Sequence, residues 1–314
     1  MTPGLLGEWL TAGELDLPLP GSGDTLCRWA RLADLTEVDV VAGRLAEAHA
    51  DAVAILAELG GPEPRRGHLW GVWAAEAPDA VLRSRRTGDT VVVDGAKAWC
   101  SGAGMCSSAL VTARWDDDPG SPRGLFAVAL DDPGVRRLPS SWRNAGMAAS
   151  DTRTVEFVAV PAVPVGVPGE YLDRPGFWHG AIGVSACWWG GARAVAAPLY
   201  AAGGSANPHT LAHLGAVDAA LTAAEATLAL AAREVDADPQ NLSGTAELVA
   251  RRTRAVVESA VDEAIRRTGR ALGPAPLAQD ARHAARVADL EMYVRQSHAE
   301  RDLEALGRLA EGTR

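Results

Sequence analysis

The chain has 314 residues, of which 47% are hydrophobic and 22% are charged. These proportions are typical of a soluble globular protein and exclude a disordered chain. The 30 basic and 40 acidic residues give a formal net charge of −10, which argues against a general nucleic-acid binder and against a basic membrane-surface protein. At roughly 150 residues per domain, the length predicts two domains or one large multi-layer unit.

The start of the chain carries acids where a signal peptide carries bases, and no apolar run approaches the roughly 18 to 20 residues of a membrane span. The four cysteines form no CxxC pair and lie among apolar residues, so we expect buried thiols rather than disulfides. These features predict a cytoplasmic protein that binds neither nucleic acid nor a membrane.

Residues 1–65 are predicted to form an N-terminal helical region. Asp24 is placed to cap a helix that continues through residues 25–35. Apolar side chains recur at helical spacing between Asp39 and Leu59, which predicts a second helix. The Gly-Gly-Pro sequence that follows is expected to end this helix.

Residues 66–172 are predicted to form a middle β domain. Short apolar runs are separated there by Gly, Asp and Pro, which is typical of strands and turns. Thr87-Gly88-Asp89 and Asp94-Gly95 each predict a hairpin turn, and Asp116 to Pro122 predicts an exposed loop. Six or more short strands at this spacing favour an antiparallel barrel or sandwich.

Residues 173–314 are predicted to form a C-terminal four-helix bundle. Apolar residues at helical spacing predict helices over residues 176–203, 209–235, 244–271 and 279–310. Short connectors rich in Gly and Pro favour up-and-down packing of these helices. The predicted fold class is therefore α+β, with a short helical region, a β domain and a bundle.

Two segments carry motifs of a known family. Residues 94–103, DGAKAWCSGA, resemble the flavin-contacting strand of the acyl-CoA dehydrogenase family, roughly N-G-x-K-x-W-I-[TS]-x-A. Residues 146–161, GMAASDTRTVEFVAVP, resemble its second signature, G-x-x-x-S-D-T-x-x-V-x-F-x-x-V-x-V-P. Residues 289–308 resemble the closing helix of a flavin-dependent branch of the superfamily. The resemblance extends over about residues 40–310.

The resemblance implies a flavoprotein in which helices, a β domain and a bundle enclose FAD. Members usually remove a proton α to a thioester and pass a hydride from the β carbon to flavin N5. Dimers, or dimers of dimers, usually complete each other's cofactor site. We therefore expect FAD as the cofactor and a homodimer, a homotetramer or a heteromer with a related subunit.

Trp99 and Ser101 are the central residues of the predicted cofactor site. They alternate with Cys100 on one predicted strand and therefore share a face. A flavin needs an aromatic wall, a hydroxyl or amide near N5, and backbone donors for its pyrimidine edge. The resemblance assigns the wall to Trp99 and the hydroxyl to Ser101. The alternative is a core tryptophan and a turn serine.

The resemblance adds five further residues to the cofactor site: Trp73, Glu76, Ser150, Thr152 and Arg270. Trp73 and Glu76 lie where the family has a strand ending in T-E-P-x-x-G-S-D, although the Thr and the Gly-Ser-Asp turn are missing here. The family's pyrophosphate-binding arginine is also missing from residues 206–213. Arg270 is a substitute phosphate contact or, alternatively, a charged residue in the last turn of a helix.

The family's usual general base, a Glu in a Y-E-G-T segment, corresponds here to Val294, which cannot accept a proton. A second family position for the base, on the first bundle helix, falls near His179. This histidine is either a base or a partly buried side chain with a backbone partner. His298 is the other candidate, because monooxygenase-like branches link a histidine in this region to flavin–oxygen chemistry. Its alternative role is in a solvated cluster with residues 300–302.

Three functions remain open at this point. The leading one is a FAD-dependent oxidoreductase acting at Cα–Cβ of an acyl thioester, bound to CoA or a carrier, or of a related substrate. The first alternative is a non-catalytic partner subunit of a heteromeric complex. The second is flavin-dependent monooxygenation, or flavin-independent chemistry, on the same fold. His209 and His213 stand at i,i+4 without an evident third ligand, so no metal site is expected.

Overall fold

The computed structural model describes residues 2–115, 120, 122–202 and 207–311, so most of the loop predicted at Asp116–Pro122 lies outside the described residues. The helices in these ranges are α1 (Thr2–Ala12), α2 (Thr25–Val38), α3 (Val40–Leu59), α4 (Glu170–Asp173), α5 (Pro175–Ala201), α6 (Pro208–Ala237), α7 (Ala246–Leu272), α8 (Ala275–Gln279), α9 (Ala281–Tyr293) and α10 (Glu300–Glu311). The strands are β1 (Trp70–Trp73), β2 (Leu82–Thr87), β3 (Thr90–Cys100), β4 (Ser108–Trp115), β5 (Gly124–Ala129), β6 (Val135–Arg137) and β7 (Arg153–Val165).

The described chain divides into two compact units that alternate along the sequence. The first unit contains the residues up to Leu17, Leu45–Arg143 and Ala148–Phe177. The second unit contains Pro18–Arg44, Asn144–Met147 and the residues from Trp178 onward. The three-segment division at residues 65 and 172 stays a prediction.

Five strands of the first unit close into a barrel. β4, β2, β3, β7 and β5 pair in that order, and β5 pairs again with β4. β1 pairs with β4, and β6 pairs with β7. The pairings of β1 and β2 with β4 are parallel, and the other pairings of the described strands are antiparallel. The predicted barrel is confirmed, and it is mostly rather than wholly antiparallel.

One of the two predicted hairpins is present. Gly88 and Asp89 connect β2 to β3 as a two-residue turn, and Gly88 has the positive φ of 61° that such turns favour. The hairpin predicted at Asp94-Gly95 is wrong, because β3 continues through both residues. Gly95 instead lies at a shift in the β3–β7 register with a φ of 117°, where a Cβ would collide with the carbonyl oxygen of Val81. The extra residue at this shift lies on β7, so Gly95 stands opposite a β-bulge.

Helix α3 supplies the apolar face that packs on the barrel within the first unit. Ala52, Ile55 and Leu56 lie at helical spacing. They contact buried strand residues that include Trp70, Leu110, Leu125, Ala127 and Val165. Full burial of one such aliphatic side chain contributes about 1.5–3 kcal/mol. The predicted helix from Asp39 to Leu59 is confirmed to within one residue at its start.

The N-terminus of α2, in the second unit, is capped by a residue that sequence reasoning did not identify. Asp24 stands at the N-cap without a side-chain capping hydrogen bond, so its predicted role is wrong. The carboxylate of Asp236, on α6, accepts hydrogen bonds from the backbone N–H groups of Gly23 and Thr25 at 3.0 and 3.1 Å. The cap therefore comes from a neighbouring helix rather than from the local sequence.

Three of the four predicted bundle helices are present as α5, α6 and α7, whereas the fourth is divided. The side chain of Asp280 accepts from two backbone N–H groups and begins α9. The hydroxyl of Ser297 accepts from the N–H of Ala299, and α10 follows. The predicted continuous helix of residues 279–310 is therefore capped at its start by Asp280 and divided between α9 and α10, where the Ser297 side chain competes for a backbone group.

Helix α6 is, by length and composition alone, long and apolar enough to cross a membrane. The expectation that no segment of the chain reaches this limit is therefore wrong for α6. Its most apolar window is 28% buried, and the core helices of soluble proteins meet the same criterion.

Two helices of the second unit approach each other at a glycine. A Cβ added to Gly190, on α5, would collide with the carbonyl oxygen and the Cα of Ala33 on α2. Gly215, on α6, has open space at the corresponding position of a Cβ. These two helical glycines therefore differ in packing rather than in backbone conformation.

We expect Gly190→Ala to lower the free energy of unfolding by about 1–3 kcal/mol, because the added methyl group separates α2 from α5. The matched control, Gly215→Ala, should raise it by roughly 0.5–1 kcal/mol, since alanine favours the helix and the methyl group meets nothing. Urea unfolding monitored by circular dichroism measures both. Equal effects of the two substitutions would contradict the close approach.

Candidate functional site

The end of β3 presents a strained and exposed tryptophan. β3 and β7 pair up to Lys97 and resume at Cys100 with one extra residue on β3, which is a β-bulge. Trp99 lies in this bulge with a φ of 61°. Such left-handed geometry costs about 1–3 kcal/mol for a residue other than glycine and concentrates at functional sites. Trp99 is 59% exposed, and Trp142 meets it edge-on with ring centroids 6.3 Å apart.

Three hydroxyl groups form a chain beside the bulge. The Oγ1 atom of Thr152 lies 2.9 Å from the Oγ atom of Ser101 and 2.7 Å from that of Ser150. Ser150 and Thr152 are buried, whereas Ser101 is half-buried. The buried pair therefore orients the hydroxyl of Ser101, which is the member of the chain closest to solvent.

Backbone hydrogen bonds join the same two segments. The N–H of Gly102 donates to the carbonyl oxygen of Ser150 at 2.7 Å, and the N–H of Gly104 donates to the carboxylate of Asp151 at 2.8 Å. The two sequence motifs are therefore neighbours in the first unit. The structure thus brings together four residues that sequence reasoning assigned to cofactor binding: Trp99, Ser101, Ser150 and Thr152.

Trp73 lies beneath this surface rather than on it. Its side chain is buried, and its indole Nε1 donates to the carbonyl oxygen of Ser101 at 2.9 Å. It supports the backbone that carries Ser101. A direct contact of Trp73 with a cofactor stays a prediction.

Glu76 belongs to an ionic cluster, which we call the Lys97 cluster and define as Glu76, Lys97 and Thr112; Lys97 and Thr112 are buried, whereas the Glu76 side chain is 33% exposed. The Nζ atom of Lys97 donates to Glu76 Oε1 at 2.7 Å, to Thr112 Oγ1 at 2.7 Å and to the Thr112 carbonyl oxygen at 3.0 Å. The Thr112 hydroxyl donates to Glu76 Oε1 at 2.8 Å. Arg123 Nε lies 3.1 Å from the second carboxylate oxygen of Glu76.

The environment of this cluster lowers the pKa of both charged groups. Burial alone raises the pKa of Glu76, but the hydrogen bonds from Lys97 and Thr112 and the charges of Lys97 and Arg123 lower it below its ordinary value. Burial lowers the pKa of Lys97, and the hydrogen bond and charge of Glu76 oppose this effect only in part.

His179 lies inside the second unit. It is 3% exposed and lines a cavity of about 20 Å³. The other lining residues are Glu234, Val235, Asp238, Asn241, Thr245, Ala246 and Val249. Hydrogen bonds from Ser243 and Leu242, with a further contribution from the charge of His179, lower the pKa of Asp238. A cavity of this volume holds about one water molecule.

His298 stands at the surface of the second unit, at the start of α10. Its side chain is 67% exposed, and its Nδ1 lies 3.6 Å from a carboxylate oxygen of Asp302, which also accepts from Arg251 at 3.1 Å. Burial raises the pKa of Asp302, but the backbone N–H of His298 and the positive charges nearby lower it overall. Of the cluster of His298 with residues 300–302, the structure shows the pairing of His298 with Asp302.

Tyr293 and Val294 are core residues of the second unit. They are 1% and 0% exposed. Trp188 meets Tyr293 edge-on with ring centroids 6.2 Å apart, and the guanidinium of Arg44 lies over the Tyr293 ring at 6.0 Å. The residue at the family's usual base position is thus an apolar side chain in a packed interior.

Arg270 is exposed in the last turn of α7, which agrees with both of its proposed roles. Among the described residues no group of three or more His, Cys, Asp or Glu side chains is arranged to hold a metal ion. Sequence reasoning missed Trp142, Lys97 and Thr112. Lys97 stands within the quoted motif and could have been identified, whereas the contacts of Trp142 and Thr112 are made across the fold and leave no local signal.

No family model matches the chain. Over 119 residues it is 34% identical to a probable mitochondrial medium-chain specific acyl-CoA dehydrogenase 2 from Caenorhabditis briggsae. That match covers 33% of this chain, and the chain spans only 29% of the length of that relative.

Two solved structures are similar over most of the chain. TdsC from Paenibacillus sp. A11-2, in a complex with FMN and indole, has a TM-score of 0.79 at 18% identity, covering 92% of this chain and 84% of TdsC. TdsC is also described as a dibenzothiophene monooxygenase. Butyryl-CoA dehydrogenase from Megasphaera elsdenii has a TM-score of 0.76 at 15% identity, covering 89% of this chain and 80% of that one.

The order of N-terminal helices, β-barrel and C-terminal helices, with the two motifs side by side, defines the fold of the acyl-CoA dehydrogenases. The chain therefore has an acyl-CoA dehydrogenase-like fold, as the motifs predicted, and it is similar in sequence to one such enzyme over a third of its length. Proteins of this fold include both dehydrogenases and monooxygenases, so the fold alone does not choose between these reactions.

The lowered pKa of Glu76 predicts an acid-sensitive contribution to stability. Its carboxylate stabilises the fold above its ordinary pKa of 4.5, and this contribution is lost as the pH falls through the lower pKa of the folded state. Glu76→Gln should therefore lower the free energy of unfolding by about 1 kcal/mol at neutral pH, because Lys97 loses its counter-charge while solvent screens part of the interaction of the partly exposed Glu76. The difference from wild type should shrink below pH 4.5.

Urea unfolding of both proteins, at neutral pH and in steps down to about pH 3, measures this difference. A difference that stays constant across the whole range would contradict the assignment of the acid-sensitive contribution to Glu76.

Proposed function

We propose that the chain is a FAD-dependent oxidoreductase that acts at Cα–Cβ of an acyl thioester or a related carbonyl-activated substrate. One observation carries this proposal: the bulge at the end of β3 holds Trp99 exposed in a strained conformation beside the half-buried hydroxyl of Ser101. Strain of this size persists only where the surrounding structure fixes it.

The residues of this surface fit a flavin. Trp99 supplies an apolar aromatic face, and Ser101 supplies a hydroxyl whose orientation Thr152 fixes. Trp142 contacts the edge of the Trp99 ring and restricts its movement. A bound flavin supplies hydride acceptance, while these side chains bind and orient it. FAD is proposed because the two motifs resemble those of FAD-dependent enzymes, and Arg270, exposed in the last turn of α7, is the proposed phosphate contact.

The substrate step requires a group that removes a proton. His298 is the more accessible of the two proposed bases, since 67% of its side chain is exposed. His179 is 3% exposed and lines a partly open pocket with room for about one water molecule. The position that corresponds to the usual catalytic Glu of the acyl-CoA dehydrogenases is the buried Val294 in this chain.

The buried Val294 favours a second candidate function, that of a partner subunit in a heteromeric complex. Such a chain binds the cofactor through the surface around Trp99 while another chain supplies the base. Flavin binding without turnover by the isolated chain distinguishes this function from the leading one.

We expect Trp99→Ala to raise the Kd for FAD about tenfold or more, equivalent to about 1.4 kcal/mol, because the aromatic wall is lost. Trp115→Phe is the matched control, since Trp115 packs on Phe126 in the barrel and should leave the Kd unchanged. Absorption spectra after desalting and a fluorescence titration with FAD and with FMN measure these constants. Absence of flavin binding by the wild-type chain would refute the proposed function for this chain alone.

The two histidines give different expected outcomes in a turnover assay with an acyl-CoA panel and an artificial electron acceptor. We expect His298→Ala to lower turnover at least about tenfold, since base catalysis typically contributes two to four orders of magnitude. His179→Ala should lower the thermal midpoint of unfolding and leave turnover per folded molecule largely unchanged, because the side chain is enclosed.

Loss of turnover in His179→Ala alone would instead identify His179 as the base. Oxygen consumption without acyl-CoA oxidation would favour the monooxygenase reaction. No effect of either substitution on a measurable turnover would exclude both histidines as the base.

A further inference from the structure

Lys97 is the single lysine of the chain, and the proposed chemistry does not use it. Its side chain is 1% exposed, and its ammonium group has three hydrogen-bond acceptors at 2.7 to 3.0 Å. Burying a charge is unfavourable unless it is paired and hydrogen-bonded, so the position of the ammonium is fixed by its partners.

The Lys97 cluster joins three separate segments of the first unit. Lys97 is on β3, Thr112 is on β4, and Glu76 follows β1. The bidentate contact with Thr112 and the ion pair with Glu76 tie β3 to its surroundings through directional bonds. An apolar side chain of similar size would fill the same space without fixing a direction.

The position of the cluster along β3 is what connects it to the candidate site. Lys97 is the last residue of β3 that pairs in register with β7 before the bulge. At the other end of the bulge, the thiol of Cys100 donates to the carbonyl oxygen of Lys97 at 3.1 Å. Burial raises the pKa of Cys100 to about 12, so the thiol keeps its proton and its role as donor. Trp99 is therefore held between two anchored residues.

We propose that the Lys97 cluster is a positioning device for Trp99, in which the ion pair of the buried Lys97 with Glu76 and the Thr112 hydroxyl hold the base of the bulge and thereby keep the indole exposed beside Ser101. The cluster acts through the backbone of β3 and touches no substrate. Its importance for binding rests on the proposed flavin site, but its effect on the conformation of Trp99 does not.

The test uses the full chain, without flavin, labelled with 5-fluorotryptophan and observed by ¹⁹F nuclear magnetic resonance. Trp99→Phe and Trp142→Phe assign the two resonances of interest. Glu76→Gln removes the charge of the ion pair, and Thr112→Val removes the bridging hydroxyl with little change of shape. Thr112→Ser restores that hydroxyl. Arg85→Gln is the matched control, because it removes an exposed ion pair with Asp94 in the same hairpin.

We expect Glu76→Gln and Thr112→Val to move the Trp99 resonance away from its wild-type position and to move the Trp142 resonance with it, because the indole leaves its edge-on contact with Trp142. Thr112→Ser and Arg85→Gln should leave both resonances in place. Unchanged Trp99 and Trp142 resonances in folded Glu76→Gln and Thr112→Val would overturn the proposal and assign the cluster to stability alone.

A flavin titration of the same proteins separates this proposal from the proposed function. Where the wild-type chain binds flavin, Glu76→Gln and Thr112→Val should raise the Kd about tenfold and Thr112→Ser should not. Absence of flavin binding by the wild type refutes the proposed function, and the Trp99 resonance then decides the positioning role by itself. A shifted Trp99 resonance with an unchanged Kd would overturn the role of the cluster in binding.

Discussion

The pairing of β3 with β7 is the interaction on which the first unit depends. Both strands belong to the closed ring of the barrel, so their hydrogen bonds complete the fold. The same pairing brings the two sequence motifs together and sets Ser101 beside Thr152. The one-residue shift in this pairing between Lys97 and Cys100 produces the bulge that contains the exposed Trp99. A single register thus determines both the closure of the barrel and the surface proposed to bind a flavin.

Local signals in the sequence predicted the elements whose conformation is decided locally. The helix ending at Leu59 and the turn at Gly88 belong to this group, because periodicity and turn chemistry determine them. Gly95 carried the same signal as Gly88 and was assigned wrongly. Pairing with β7 keeps Gly95 within strand β3 instead of in a turn, and β7 is distant in sequence. The division of the last helix at Ser297 was also hidden, since a serine caps a helix only when the chain around it leaves the helical conformation.

The candidate site was predictable to the extent that its residues lie within motifs. Trp99, Ser101, Ser150 and Thr152 were identified in this way, and the structure brings them together. The buried position of Trp73 and the contact of Trp142 with Trp99 depend on packing between distant segments, which the sequence does not encode locally. Residue type alone does not tell whether a tryptophan lies in the core or on a functional surface.

The interior around Val294 limits the proton chemistry available to the second unit. Val294 and Tyr293 are fully packed, so a carboxylate at position 294 would be buried among apolar and aromatic groups at a large desolvation cost. The strained backbone at Trp99 depends on the β3–β7 bulge in the first unit rather than on the interior around Val294. In the proposed function, flavin binding and proton removal therefore depend on different residues of this chain. The proton acceptor then has to come from a histidine, from the substrate itself or from another subunit.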